Sequence, residues 1–362
     1  MRFPGFEGEW EKHTLGEVGE PYIGLTYSPS DVVSEGGVIV FRSSNIQNDQ
    51  IDYSDIVRVN KKLKESIVTR KDDLLICARN GSPRLIGKNA LLKESDANQT
   101  FGAFMLVYRS PDNHFIHQLL STKRYYSQVS ENLGARINQI TTANIKDFEF
   151  FFPKGKDERD KISKFLDLID QRIAIQNRVI ERYESLIKAL ATVGIGSKKP
   201  NARISDCVIC STSTLKESEL CSAGIPAYGA SGISGYTADA LCESDSILIT
   251  KDGSGVGAKR YVRGPHSFVG TLCSLTHRDG IYLPYIYYAM MNMNFDAYKT
   301  GQAIPHIYFK DYGKERLFCP TYSEQVKLAK GLEALDKKVV YEQRLLSKFH
   351  SVKRHFLTQL FI

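Results

Sequence analysis

The sequence predicts an α+β protein: two similar mixed α/β domains joined by two long antiparallel coiled-coil helices, in a pseudo-twofold arrangement. Three observations predict it. A heptad-patterned stretch occurs twice, and the blocks upstream of each copy match in the same order. Between those blocks lie short apolar runs bounded by Gly, Pro, Asn or Asp, as buried strands are.

The heptads come first, because everything else attaches to their ends. Ile162, Leu166, Ile169, Ile173, Gln176, Ile180, Tyr183, Ile187 and Leu190 follow alternating steps of four and three, the seam of a coiled coil. Displaced by 166 residues stand Leu328, Leu332, Leu335, Val339, Glu342, Leu346, Phe349, Lys353 and Phe356. Even the polar break recurs, Gln176 against Glu342. Two unrelated coiled coils for dimerisation are the alternative. The shared register and shared break favour pairing within the chain.

The repeat continues upstream. Residues 134–153 align without gaps on 301–320, matching Ile137 with Ile304 and Ile140 with Ile307. Residues 73–82 answer 245–254, and 37–46 answer 224–233. The chain therefore divides into 1–153, a first domain; 154–196, a first helix; 197–320, a second domain; and 321–362, a second helix. Two copies make a tandem pair, not a solenoid.

Within the first domain, residues 38–41, 74–77 and 104–108 read as strands and 115–129 as a helix. Residues 148–152 form a last strand, stopped by Pro153. Residues 191–203, with Gly194, Gly196 and Pro200, read as a flexible connection. The second domain repeats the plan more tightly. Between Ile46 and Asp73 lie 26 residues, between Ile233 and Asp245 only 11, so the first domain carries an insertion on a shared scaffold. Thr321 with Glu324 makes a capping box for the second helix.

Connectivity sets the direction. If the helices pair, the second returns antiparallel to the first, and Gln176 and Glu342 face each other as a polar layer that specifies register. Each helix is about 34 residues, so such a rod is on the order of 50 Å long.

Bulk properties agree. The 362 residues leave room for two domains with their own cores, and the net charge of +7 fits a polyanionic partner. The start has no apolar run suited to secretion, and no stretch is long enough to span a bilayer. The seven cysteines, mostly inside strand-like runs, point to a reducing cytoplasm.

Four features carry a family resemblance. They are Trp10 followed by Leu15-Gly16-Glu17; Arg42-Ser43-Ser44-Asn45-Ile46; Asp73-Leu74-Leu75-Ile76; and a junction of apolar strand, Pro, acidic cluster and heptads that is used twice. The junction runs from Phe152-Pro153 through Glu158 to Ile162, and from Cys319-Pro320 through Glu324-Gln325 to Leu328. In these features, their order and their duplication, the chain resembles the specificity subunit of Type I restriction-modification systems. The resemblance implies two target recognition domains, each reading one half of an asymmetric bipartite site in double-stranded DNA. It implies helices that hold two methyltransferase subunits, with restriction/translocase subunits joining them. Catalysis, and with it S-adenosylmethionine, ATP and Mg, is then expected in those partners and not in this chain. Arg159 departs from the family's Glu-Gln pair, and the second domain is short.

Base reading needs Arg, Lys, Asn, Gln or Ser on loops that enter a groove, and phosphate contacts use the same residue types. The matched loops of the first domain offer Arg42, Ser44, Asn45, Arg79, Asn80, Ser82, Arg84, Lys88, Arg136, Asn138 and Gln139. The second offers Tyr228, Ser231, Lys251, Asp252, Ser254, Lys259, Arg260, Gln302 and His306. Plain solvated turns are the competing explanation for any one of them.

Rival constellations are weaker. Residues 252–257 resemble a nucleotide or S-adenosylmethionine loop after a strand, but Arg263-Gly264-Pro265 forbids the helix that would hold phosphates. The matched loop, 81–87, loses the glycine spacing. Cys207 and Cys210, with Cys221 and Cys242, would be needed together for zinc; strand-buried cysteines are the expectation, with no metal. No histidine pairs with a carboxylate or Cys in a catalytic pattern, and no nuclease cluster occurs in both copies. A non-enzymatic scaffold that binds proteins through two end domains is the alternative function.

Overall fold

The computed structural model describes residues 2–133, 138–301 and 304–361. Arg136 and Gln302 of the candidate set, and the matched Ile137, lie outside the described residues. The chain forms two compact units, Met1–Gln176 with Leu345–Ile362, and Asn177–Arg344. A long helix, Lys156–Ala191, and a second, Tyr322–Leu360, each contribute to both.

The strand Leu74–Cys77 explains the first unit. All four of its residues are buried, because successive side chains leave on opposite faces and both faces are covered. Leu74 and Ile76 enter a core with Phe115, Ile116, Phe150, Ile162 and Leu166. Leu75 and Cys77 enter another with Ile39, Phe41, Phe101 and Val107. The strand sits in an antiparallel sheet ordered Glu20–Ile23, Met105–Arg109, Leu74–Cys77, Asn89–Leu91. A second sheet runs Thr100–Phe101, Val38–Phe41, Val57–Val59, Val32–Val33, its first pair parallel. Glu11–Thr14 pairs with Glu149–Phe152.

The second unit repeats this order. Val208–Thr212, Leu272–His277, Ser246–Thr250 and Lys259–Val262 form the four-stranded antiparallel sheet. Gly232–Thr237, Ile225–Gly229 and Ser267–Phe268 form the other, again with one parallel pair. Ala202–Arg203 pairs with Arg316–Leu317. The strand Val57–Val59, which lies in the longer segment of the first unit, takes the same antiparallel position as Gly232–Thr237 in the second.

Hydrogen bonds correct one register. The sequence match sets Asp73 on Asp245, and so Arg79 on Lys251. In the structure Cys77 N donates to Lys88 O (2.8 Å) and Gly87 N to Cys77 O (2.8 Å), as Thr250 N donates to Ala258 O (2.9 Å) and Gly257 N to Thr250 O (2.9 Å). Cys77 therefore stands on Thr250, one residue away from the sequence match, and Arg79 stands on Asp252. Gly87 (φ +83°) and Gly257 (φ +90°) are the same left-handed turn in both copies. Downstream, Ile140 N donates to Ala78 O and Ile307 N to Lys251 O, both at 2.9 Å, in keeping with the match of Ile140 to Ile307.

Three further expectations change. Residues 115–129 form two helices, Asn113–Leu119 and Lys123–Glu131, because the Thr122 hydroxyl accepts from Tyr125 N and starts a new one. The connection after the first long helix is ordered: a π-helical turn, Thr192–Gly196, leads to the strand Ala202–Arg203. The seam also ends differently. Ile162, Leu166, Ile173, Gln176, Ile180 and Ile187 are buried, but Leu190 is 45% exposed and Ala191 is buried in its place. A straight helix drifts against a 3.5-residue repeat, so the last step is four and not three. On the second helix Leu332, Val339, Glu342 and Lys353 are buried, and Leu328, Leu335, Leu346, Phe349 and Phe356 are half-buried.

Both junctions close alike. Thr321 N and Oγ1 both donate to the Glu324 carboxylate (3.1 and 2.7 Å), which supplies the glutamate half of the expected capping box. Gln325 Nε2 donates to Pro320 O (2.9 Å), and its Oε1 accepts from Tyr282 N (2.8 Å). Arg159, 166 residues earlier, donates to Pro153 O (2.7 Å) and lies 3.1 Å from Asp112. Asp112 and Tyr282 both precede the short helix of their unit. The arginine thus makes the same two connections as the glutamine.

Candidate nucleic-acid interface

In the first unit three matched loops meet. Asn80 holds them together: its Nδ2 donates to Ser43 Oγ (3.0 Å), its Oδ1 accepts from Ser82 N (3.0 Å), and its backbone N donates to Asn138 O (3.3 Å). Asn138 Nδ2 donates to Gly81 O (3.0 Å), and Arg79 bridges Gln139 through the backbone. Ser44, Arg79 and Arg84 are exposed; Ser82, Lys88, Asn138 and Gln139 are half-buried at the rim. Arg79 lies over the ring of Phe104, 5.0 Å from its centroid.

Two candidates turn inward. Asn45 is fully buried; its Oδ1 accepts from Arg42 N (2.9 Å), and its Nδ2 donates to Asp52 O (3.1 Å) and Asp55 O (2.8 Å). Its amide closes its own loop and cannot reach a groove. Arg42 is tied to the same loop by an ion pair with Asp55 (2.8 Å).

The second unit builds the same frame from other side chains. Gly253 N donates to Pro305 O (2.9 Å), and Asp252 bridges His306 where Arg79 bridges Gln139. Asp252 is neutralised by Lys251 (2.6 Å). Ser231 and Ser254 are exposed; Arg260 lies over Tyr228 (5.9 Å), and the His306 ring packs on Tyr308 (5.1 Å). Lys259 is the inward-turned candidate here. Its Nζ donates to Met293 O (2.7 Å) and sits 4.4 Å from the Phe295 ring, and burial pushes its pKa down to about 8.

Sequence reasoning missed two aromatics. Phe104 is 56% exposed and Tyr308 48% exposed, each beside a cation, Arg79 and Lys310. Phe104 was assigned to the strand 104–108, but the strand begins at Met105. The exposed face was hidden because an aromatic before an apolar run reads as core.

The rivals resolve. Residues 252–257 form a tight turn, with Val256 N donating to Gly253 O and Ala258 N to Gly255 O (both 3.1 Å), and a strand follows. No helix N-terminus is there to hold phosphate. Cys207 and Cys210 do not converge on Cys221 and Cys242. Cys207 neighbours Cys319 and Cys210 neighbours Cys273; burial raises the Cys207 thiol, and the hydrogen bond with Cys273, then burial, raises that of Cys210.

One loop frame is thus built twice, once in each unit, with different side chains on it. The family model of the Type I restriction modification DNA specificity domain matches residues 7–184. The StySPI specificity subunit of Salmonella potsdam is 26% identical over 187 residues, covering 47% of this chain and 40% of its own length. The EcoKI specificity subunit of Escherichia coli is 26% identical over 181 residues, covering 48% and 39%. The chain thus spans about two fifths of the length of these curated relatives. The crystal structure of a Type-I restriction-modification system S subunit from M. genitalium shares the fold, with a TM-score of 0.63 at 20% identity over 100% of this chain and 99% of that one. The resemblance to specificity subunits holds.

Proposed function

We propose that the chain is the DNA-recognition subunit of a Type I restriction-modification complex, reading an asymmetric bipartite site with one domain per half. The observation that carries this is the duplicated frame with unlike contents. The backbone scaffold recurs bond for bond, while Arg79 is exchanged for Asp252 and Gln139 for His306. A shared scaffold with different polar side chains suits two different half-sites. The surface set is Ser44, Arg79, Asn80, Ser82, Arg84, Lys88, Asn138 and Gln139 in the first unit, and Tyr228, Ser231, Lys251, Ser254, Arg260 and His306 in the second.

The chain itself is non-catalytic in this reading. S-adenosylmethionine, ATP and Mg belong to partners, two methyltransferase subunits and restriction subunits, and the complex works in the cytoplasm. Apolar residues on the outer faces of the long helices support docking. Leu168, Ile175 and Leu186 on the first, and Val340, Tyr341 and Val352 on the second, are exposed.

The test measures binding of the purified chain, with and without methyltransferase subunits, to duplexes at several salt concentrations. Salt-dependent binding with a specific bipartite preference supports the reading. Absence of DNA binding in the assembled complex would leave the two-ended protein adaptor.

A further inference from the structure

The starting point is His117, on the short helix Asn113–Leu119. It is 6% exposed, and neither of its ring nitrogens has a hydrogen-bond partner. An imidazole buried with both nitrogens unpaired is costly, and the cost asks for an explanation. The ring faces two carboxylates on the first long helix, Asp167 and Asp170, which lie on one helix face at i and i+3. One donor atom from each of the three residues lies within 4.8 Å of the others.

The carboxylates are already oriented. Gln118 Nε2 donates to Asp167 Oδ1 (2.9 Å) and Asp170 Oδ2 (3.1 Å), and the His114 ring lies 3.0 Å from Asp167. Lys353 Nζ, from the second long helix, stands 2.6 Å from Asp170 Oδ1. None of these reaches His117. Burial above all, and then the Lys353 ammonium, push the His117 pKa below its ordinary value.

The duplication supplies an internal comparison. Glu333 and Asp336 stand 166 residues on from Asp167 and Asp170. There the Tyr282 hydroxyl donates to Glu333 (2.6 Å) and the Tyr288 hydroxyl to Asp336. The short helix of that unit, Leu283–Met290, carries no histidine. In the second copy hydroxyl donors satisfy the acid pair, whereas in the first an unpaired imidazole faces it.

We propose that His117, Asp167 and Asp170 form a binding site for a divalent transition-metal cation of the Mn2+ or Zn2+ kind. One imidazole nitrogen and two carboxylate oxygens, with water completing the shell, suit such ions, whose ligand bonds are about 2.0–2.2 Å. Gln118 and His114 are the outer partners that fix the carboxylates. Lys353 carries the balancing charge without metal and withdraws along its flexible stem when the ion enters. The ion then staples the short helix of the first recognition domain to the long helix, at a point where the second domain uses tyrosines.

The experiment uses the full chain, stripped with chelator and titrated with Mn2+ alone, read by electron paramagnetic resonance, and then with Zn2+, read by Tm. Mn2+ is the cleaner probe because seven cysteines offer thiolates that it binds poorly. One equivalent should bind and raise Tm. His117→Ala and Asp167→Asn should abolish that binding, and Asp336→Asn should leave it intact. Lys353→Met, which removes the competing cation, should bind about tenfold more tightly. That gain keeps the proposal testable even if His117→Ala folds poorly. The site is refuted if neither metal binds wild type or Lys353→Met at one equivalent, or if binding survives the loss of His117.

Discussion

Asn45 and Arg79 sit on adjoining loops and have opposite fates. Both are polar, and both fit a groove-reading pattern. Asn45 is consumed by three hydrogen bonds within its loop, whereas Arg79 stands exposed over Phe104. Asn45→Ala removes the donor to two buried-loop carbonyls and should cost about 1–3 kcal/mol of stability in denaturant unfolding. Arg79→Ala should leave stability unchanged and weaken binding of one half-site by about 1–3 kcal/mol in a titration with specific duplex. Lys259 gives a pH signature. Its pKa is lowered to about 8 in the folded protein, against an unfolded value near 10.5. Below pH 8 both states hold the proton and the burial penalty is fully present. As pH rises through 8 the folded state gives up its proton first, so the unfolded state binds more protons and this group's contribution to stability rises. Between pH 7 and 9 wild type should therefore gain stability relative to Lys259→Met, measured by urea unfolding at each pH. Residue type and loop position made the polar loops legible in the sequence. Which way each side chain turns was not, because a local amide-to-carbonyl bond competes with exposure and leaves no mark on composition.

The long helices were legible almost to their ends, because a 3.5-residue spacing over four heptads has no competing explanation. Their seam was misread only at Leu190, where helical drift brings Ala191 inward. Leu166→Ala, deep in the first core, should cost about 2–5 kcal/mol, while Leu190→Ala should stay within about 0.5 kcal/mol, both from denaturant midpoints. The helix read over 115–129 was wrong for a local reason. Thr122 satisfies its own helix start, and hydrophobic periodicity carries straight through such a cap. The one-residue slip between the copies has a similar origin. Asp73 and Asp245 are identical in type, but hydrogen bonds and not residue identity set register, and those place Cys77 on Thr250.

At the scale of the molecule, duplication is the organising fact. Gene-level repetition is visible in the sequence as matched blocks, and in the structure as the same sheet order built twice. The chemistry differs between copies in the loops, through Arg79 and Asp252, and against the long helices, through His117 in one and Tyr282 with Tyr288 in the other. The central claim is that each copy reads its own half of a DNA site. The measurement that tests it most directly is genome-wide methylation mapping in cells whose only copy of this chain has residues 1–152 replaced by the matching segment of a known specificity subunit. The account predicts a new sequence in one half-site and an unchanged sequence in the other. A change in both halves together, or no change in either, would contradict it.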